Sequence, residues 1–202
     1  MPRHFEALAA VLMGPQRRAL VCALLACLLS LSPVRELLLA RMSTHMGLQI
    51  PALVALGWLM RSALPLQRLY RWRLGLLLLA LGTLTVWMLP RLLDLAVQDR
   101  AVDLSKSASL VLLAGLPLGC AWAHLGFVWR AALHLEALAT LWRLGWLYLD
   151  SPVRLCSNYG WSDQQTLGRG LLMAGVVYAT WLAWQALRTR PNTVPTEAGN
   201  LT

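Results

Sequence analysis

Charge is scarce in this chain. Of its 202 residues only 13% are Asp, Glu, Lys or Arg, while 58% are hydrophobic. A water-soluble domain carries about 25% charged residues, so that class is excluded and an integral membrane protein remains. Acid is scarcer than base, with nine Asp and Glu against 18 Lys and Arg, and lysine is nearly missing, Lys106 standing alone among 17 arginines. The four cysteines, Cys22, Cys27, Cys120 and Cys156, form no CxxC pair and no zinc-type spacing, which excludes a zinc module and argues against a disulfide framework. Phosphate-binding loops, HExxH and Ser–His–Asp arrangements are lacking as well, so an enzyme is not expected. The paired intramembrane acids of ion pumps are also missing.

What is present is a series of apolar runs punctuated by arginine. The net charge of +9 on a soluble chain would suggest nucleic acid. Here the arginines read as topology signals and lipid-headgroup contacts, and no nucleic-acid partner is expected. A spanning helix needs about 20 mostly apolar residues. Six stretches qualify: Ala19–Leu38, kinked near Pro33; Met42–Met60; Leu74–Pro90; Ser107–Val128; Ala131–Leu149; and Leu167–Leu187. The fifth is interrupted by His134, Glu136 and Arg143 and could instead lie along the interface, giving five spans. Glu136 and Arg143 share a helix face and are expected to satisfy each other inside the bundle.

The expected fold is therefore an all-α, polytopic transmembrane bundle of six spans, or five, occupying residues 19–190. An N-terminal segment, 1–18, contains a short interfacial helix in "RHFEALAAVLM". Residues 191–202, within "RPNTVPTEAGNLT", read as a disordered tail. Arg17 and Arg18 before "ALVCALLACLLSLSP" resemble a signal peptide. The apolar run continues past Cys27 without a small-x-small cleavage site, so it reads as a retained first span. The loop at 61–73 holds Arg61, Arg68, Arg71 and Arg73 and no acid, whereas the loop at 91–106 sets Arg91, Arg100 and Lys106 against Asp94, Asp99 and Asp103. The positive-inside rule then places both termini in the cytoplasm.

One stretch carries chemistry. Residues 40–60 read "ARMSTHMGLQIPALVALGWLM", and Met42, His45, Met46 and Gln49 fall at i, i+3, i+4 and i+7, along one helix face. Two thioethers, an imidazole and an amide are soft-to-borderline donors that suggest Cu(I), although packing methionines and a hydrogen-bonded histidine explain the same pattern. On the expected topology this face opens at the outer membrane surface. There it is joined by Cys156 and Asp163 from "SPVRLCSNYGWSDQQTLGRG" (151–170). Asp163 could orient the imidazole or ligate, and Cys156 could add a thiolate. His124 and His134 fall toward the inner face, which argues against a bis-histidine haem.

"STHMGLQIPALVALGW" together with "DQQTLGRGLLMAG" resembles the CtaG-type family of cytochrome c oxidase assembly proteins, whose multi-span members open one helix with an HM-x-x-H-type motif and a late helix with a D-Q-x-x-G-G-type motif. His45 and Met46 match the first motif; Asp163, Gln164, Gly168 and Gly170 approximate the second. Gln49 stands where the second histidine falls, and Arg169 separates the two glycines. The resemblance implies a copper-handling assembly protein of a bacterial inner membrane. Its expected partners are the lipid bilayer and a copper enzyme such as a haem–copper oxidase, or a copper-carrying protein. His45 and Met46 would be the main ligands, with Met42 and Gln49 assisting, Asp163 orienting and Cys156 an extra donor. The other reading is a non-catalytic structural subunit of a larger membrane complex with no metal site.

Small residues and tryptophans complete the pattern. Gly115, Gly119 and Ala123 form a small-residue line suited to close helix packing within the fold. Gly75 and Gly82 are expected to do the same on the third span. Trp72, Trp87, Trp129 and Trp161 lie near expected membrane boundaries, and Trp181 and Trp184 read as packing residues of the sixth span.

Overall fold

The computed structural model describes residues 14–64, 66–156 and 158–188. The expected N-terminal helix before residue 14 and the 191–202 tail lie outside the described residues. All regular structure among the described residues is helical, with no strand. Helix α1 is Pro15–Ser30 and α2 is Val34–Leu39. Helix α3 is a continuous run of Met42–Thr44, a π-helical turn His45–Gln49, and Ile50–Met60. After the tight turns Arg61–Ala63 and Leu66–Trp72 come α4, Arg73–Trp87, and the short α5, Pro90–Gln98. Helix α6 joins Arg100–Ser109, a second π-helical turn Leu110–Gly115, and Leu116–His124. Helices α7, Phe127–Asp150, and α8, Trp161–Arg188, complete the bundle.

Three helical stretches are long and apolar enough to cross a membrane, Leu69–Trp87, Arg100–His124 and Trp161–Arg188. The last shows almost no burial of its apolar window, as expected of a helix whose solvent is lipid. The other helices are shorter or more polar. The run expected over Ala19–Leu38 is divided at Leu31–Pro33, because the residue before a proline is driven out of the α region.

Both π turns have a cause in the sequence. Pro51 and Pro117 each follow a π turn by two residues. A helical proline offers no N–H to the carbonyl four residues back and its ring crowds that carbonyl. A widened turn just upstream absorbs the mismatch. The second turn, Leu110–Gly115, packs against the Ile50–Met60 part of α3. There the backbones touch: a Cβ built on Gly57 would stand 2.2 Å from the carbonyl oxygen of Val111, and one on Gly115 2.3 Å from that of Val54. Only glycine fits there. Around this crossing Ile50, Leu53, Leu93, Leu110, Val111 and Ala114 form the central apolar core.

Some expectations need correction. Gly75 and Gly82 have nothing within reach of a Cβ, so they serve no close helix approach. Glu136 and Arg143 do pair, but each is more than 60% exposed on the outer surface of α7 (63% and 64%) rather than inside the bundle. Trp184 is 52% exposed beneath the Arg188 guanidinium, while Trp181 packs as expected, against Tyr178 and His134. Asp103 and Lys106, read as loop charges, lie fully buried on α6.

Candidate functional site

The starts of α3, α6 and α8 meet at one end of the bundle. The 151–160 loop lies over this end and is tied to α5 by Asn158, whose amide donates to the backbone and carboxylate oxygens of Asp94 at 3.2 and 3.1 Å. Beneath it, Met42, His45, Gln49, Asp103 and Lys106 are each 0% exposed. Charged and polar side chains this deep are tolerated only when they satisfy one another.

They do so as a chain of contacts. Asp103 is the hub: Arg35 Nε donates to Oδ2 at 2.7 Å, and Lys106 Nζ lies 2.7 Å from Oδ1, an ion pair without the directionality of a hydrogen bond. Arg35 also reaches the Ala96 carbonyl at 3.3 Å, which ties α2 to α5. Lys106 Nζ is 2.7 Å from Nε2 of His45 and 3.4 Å from Oε1 of Gln49. Lysine only donates here, so Nε2 accepts, and this tautomer leaves the Nδ1–H to donate to the Tyr159 hydroxyl at 2.9 Å. Gln49 Nε2 donates to the Leu29 carbonyl of α1 at 3.3 Å. The network thus joins α1, α2, α3, α6 and the loop before α8. Arg35 and Lys106 share one acid.

Next to it lies a sulfur-rich apolar cluster. Met42, Tyr148, Cys156, Tyr159 and Leu167 are buried together, with Met46 packed against them. The Tyr148 hydroxyl reaches Met46 Sδ at 3.6 Å. Burial pushes the Cys156 thiol up to about 11, and the nearby negative charge of Asp94 adds to the effect. Burial likewise raises the Tyr159 hydroxyl far above its ordinary range, with Cys156, Asp94, Asp103 and Asp163 contributing in that order. Both groups are held neutral at physiological pH.

The expected site residues are therefore unevenly placed. Met42, Met46 and Cys156 come together, and His45 and Gln49 belong to the adjoining polar network. Asp163 sits half-buried in the first turn of α8 and is not part of that network. The residue built into the fold is its neighbour Gln164, which accepts from the Leu155 N–H at 3.0 Å and donates to the Tyr148 carbonyl at 3.1 Å. Of the two glycines that follow, Gly168 packs against Gly145 of α7, whereas Gly170 meets nothing. Among the described residues no three His, Cys, Asp or Glu side chains are gathered to hold a metal ion.

Sequence reading missed Arg35, Asp103, Lys106 and Tyr159. One signal pointed to Asp103 and Lys106: in an arginine-rich chain the sole lysine stands three residues after an acid, at the mouth of an apolar run. Lysine is a compact ammonium that can be enclosed by three acceptors, which a planar guanidinium cannot match.

Comparison with family models, with curated proteins and with solved structures found no match for this chain.

Proposed function

We propose that this chain is a non-enzymatic accessory protein of a bacterial inner membrane, crossing it six times with both termini in the cytoplasm. It holds Cu(I) transiently at the outer face for delivery to a respiratory copper enzyme or a copper-carrying protein. The observation that carries this reading is the convergence of Met42, Met46 and Cys156, two thioethers and a thiol from distant parts of the chain, in one buried cluster. Thioether and thiolate donors select Cu(I) over harder ions.

The geometry shifts the weight from His45 to the sulfurs. Both ring nitrogens of His45 are engaged, so the imidazole joins a metal only after Lys106 moves away. Cys156 must release its proton to ligate, which couples uptake to proton release. Gln49 serves by holding Lys106, and Asp163 lies outside the coordination sphere. The test is copper content of protein purified under reducing conditions. Wild type is expected to retain Cu(I), with loss in Met42→Leu/Cys156→Ser and smaller loss in His45→Ala. Equal, negligible copper in all three defeats the proposal.

A second reading has its own support. The Arg35–Asp103–Lys106–His45–Tyr159 chain, with Gln49 bonded to Leu29, ties together four helices and a loop without a metal, as a structural subunit requires. On that reading His45→Ala lowers stability, while copper is negligible in wild type and variant alike.

A further inference from the structure

The opposite end of the bundle holds a different kind of cavity. It is a half-open cleft of about 440 Å³, lined by Arg18 of α1, Arg61 and Ser62 after α3, Trp122 near the end of α6 and Arg130 at the start of α7. That volume falls within the roughly 300–1,000 Å³ typical of ligand pockets. Three guanidinium groups face one space, and no acidic side chain is among its described lining residues.

Arginines that only set topology extend into water or headgroups and are solvated there. These are held in place. Arg61 lies over the Trp58 ring at 5.1 Å, and Arg130 over Trp122 at 5.7 Å, contacts that orient a guanidinium without consuming its donors. Arg61 Nη1 donates to the Gly119 carbonyl at 3.2 Å and Arg130 Nη2 to the Trp122 carbonyl at 3.0 Å. The Nε atoms of Arg18 and Arg130 are buried with no hydrogen-bond partner. A buried unmade donor is costly.

We infer that this cavity is a binding site for a phosphate-bearing anion, held by the guanidinium groups of Arg18 and Arg130, with that of Arg61 beside them. Guanidinium matches phosphate in both geometry and charge. The anion brings negative charge and acceptor oxygens to the guanidinium groups of Arg18 and Arg130. At the end of a membrane bundle that anion comes either from a phospholipid headgroup or from free phosphate in solution.

The full-length protein in neutral detergent separates these sources. Native mass spectrometry with added phosphatidylglycerol, and separately with phosphatidylcholine, is run with and without millimolar inorganic phosphate. Wild type is expected to retain phosphatidylglycerol. Arg18→Gln/Arg130→Gln retains it about tenfold more weakly. The charge-matched control Arg73→Gln/Arg188→Gln, whose guanidinium groups lie over Tyr70 and Trp184 instead, retains it as wild type does. If inorganic phosphate displaces the lipid, the site takes free phosphate as well; if it does not, the headgroup is the ligand. Absence of both lipid and phosphate binding in wild type, or equal weakening in the two double variants, overturns the proposal without depending on how the cavity variant folds.

Discussion

Lys106 Nζ stands 2.7 Å from Nε2 of His45, and while it does so no metal ion can share that lone pair. The imidazole that sequence spacing marks as a ligand is thereby turned into a member of an ion network, with its other nitrogen tied to Tyr159. A histidine's role is set by the partners of its two nitrogens, and here both are protein groups.

Relieving that contact should change what His45 does. In Lys106→Met the Nε2 lone pair is free. Copper retained by this variant is then expected to depend on the histidine, falling when His45→Ala is added. In wild type the same His45→Ala change has the smaller effect. Copper measured per protein across these four chains decides it, and identical dependence on His45 in both backgrounds contradicts the assignment.

Asp103 is the single acid serving two buried cations. Asp103→Asn leaves Arg35 and Lys106 repelling each other without an acceptor of opposite charge, so thermal or denaturant unfolding in one detergent should show a loss of about 3–5 kcal/mol. Replacing the pair together, as Asp103→Leu/Lys106→Met, should cost less than the sum of the single changes, because no orphaned charge remains.

The crossing of α3 and α6 depends on two glycines. Gly57→Ala and Gly115→Ala both drive a methyl into backbone oxygen, at 2.2 Å and 2.3 Å, and each should cost more than about 1–3 kcal/mol of overpacking. Gly75→Ala meets open space and should gain up to about 1 kcal/mol from helix propensity. Melting temperatures of the three variants test the contrast.

Cys156 should be slow to alkylate. Burial raises its thiol from an ordinary 9.0 to about 11, so at pH 8 the folded protein holds roughly a hundredfold less thiolate than the unfolded chain. Iodoacetamide labelling followed by peptide mapping should show Cys156 protected at pH 8 and reactive after denaturation. The sign of the linkage is that of a raised acid: the contribution to stability is complete below pH 9.0 and is lost as pH rises toward 11. Fast labelling of Cys156 at pH 8 in the folded state counts against its burial.

The loop over the site is anchored by Gln164. Gln164→Leu removes the acceptor for Leu155 N–H and the donor to Tyr148 O, leaving buried backbone groups unpaired at a cost of about 1–3 kcal/mol each. Limited proteolysis within 151–160 should accelerate in this variant and stay unchanged in Asp163→Asn, although the family-like motif gives both residues equal standing.

Much of the local structure was legible. Composition predicted helices apolar enough to cross a membrane, and three such stretches are present; apolar runs located helices, and the proline positions accompany the two π turns. Met42, His45, Met46 and Gln49 do share one buried region, as spacing of i, i+3, i+4 and i+7 requires. What spacing could not show is which of them meet metal donors and which meet charge. Asp103 and Lys106 lie just outside the apolar core of α6, where charged residues ordinarily mark a loop. Nothing nearby in the chain reveals that Arg35 and His45 will reach them.

Composition and periodicity by themselves determined that this chain is helical and carries stretches apolar enough to cross a membrane, because backbone hydrogen bonds within a nonpolar solvent leave few alternatives and depend only on neighbours a turn away. Tertiary structure alone decided the partners: Arg35 finds Asp103 at a separation of 68 residues, and His45 finds Tyr159 at 114. The reason is that the cost of burying a charge or an imidazole is set by what surrounds it after packing, and that environment is a property of the assembled helices rather than of any segment.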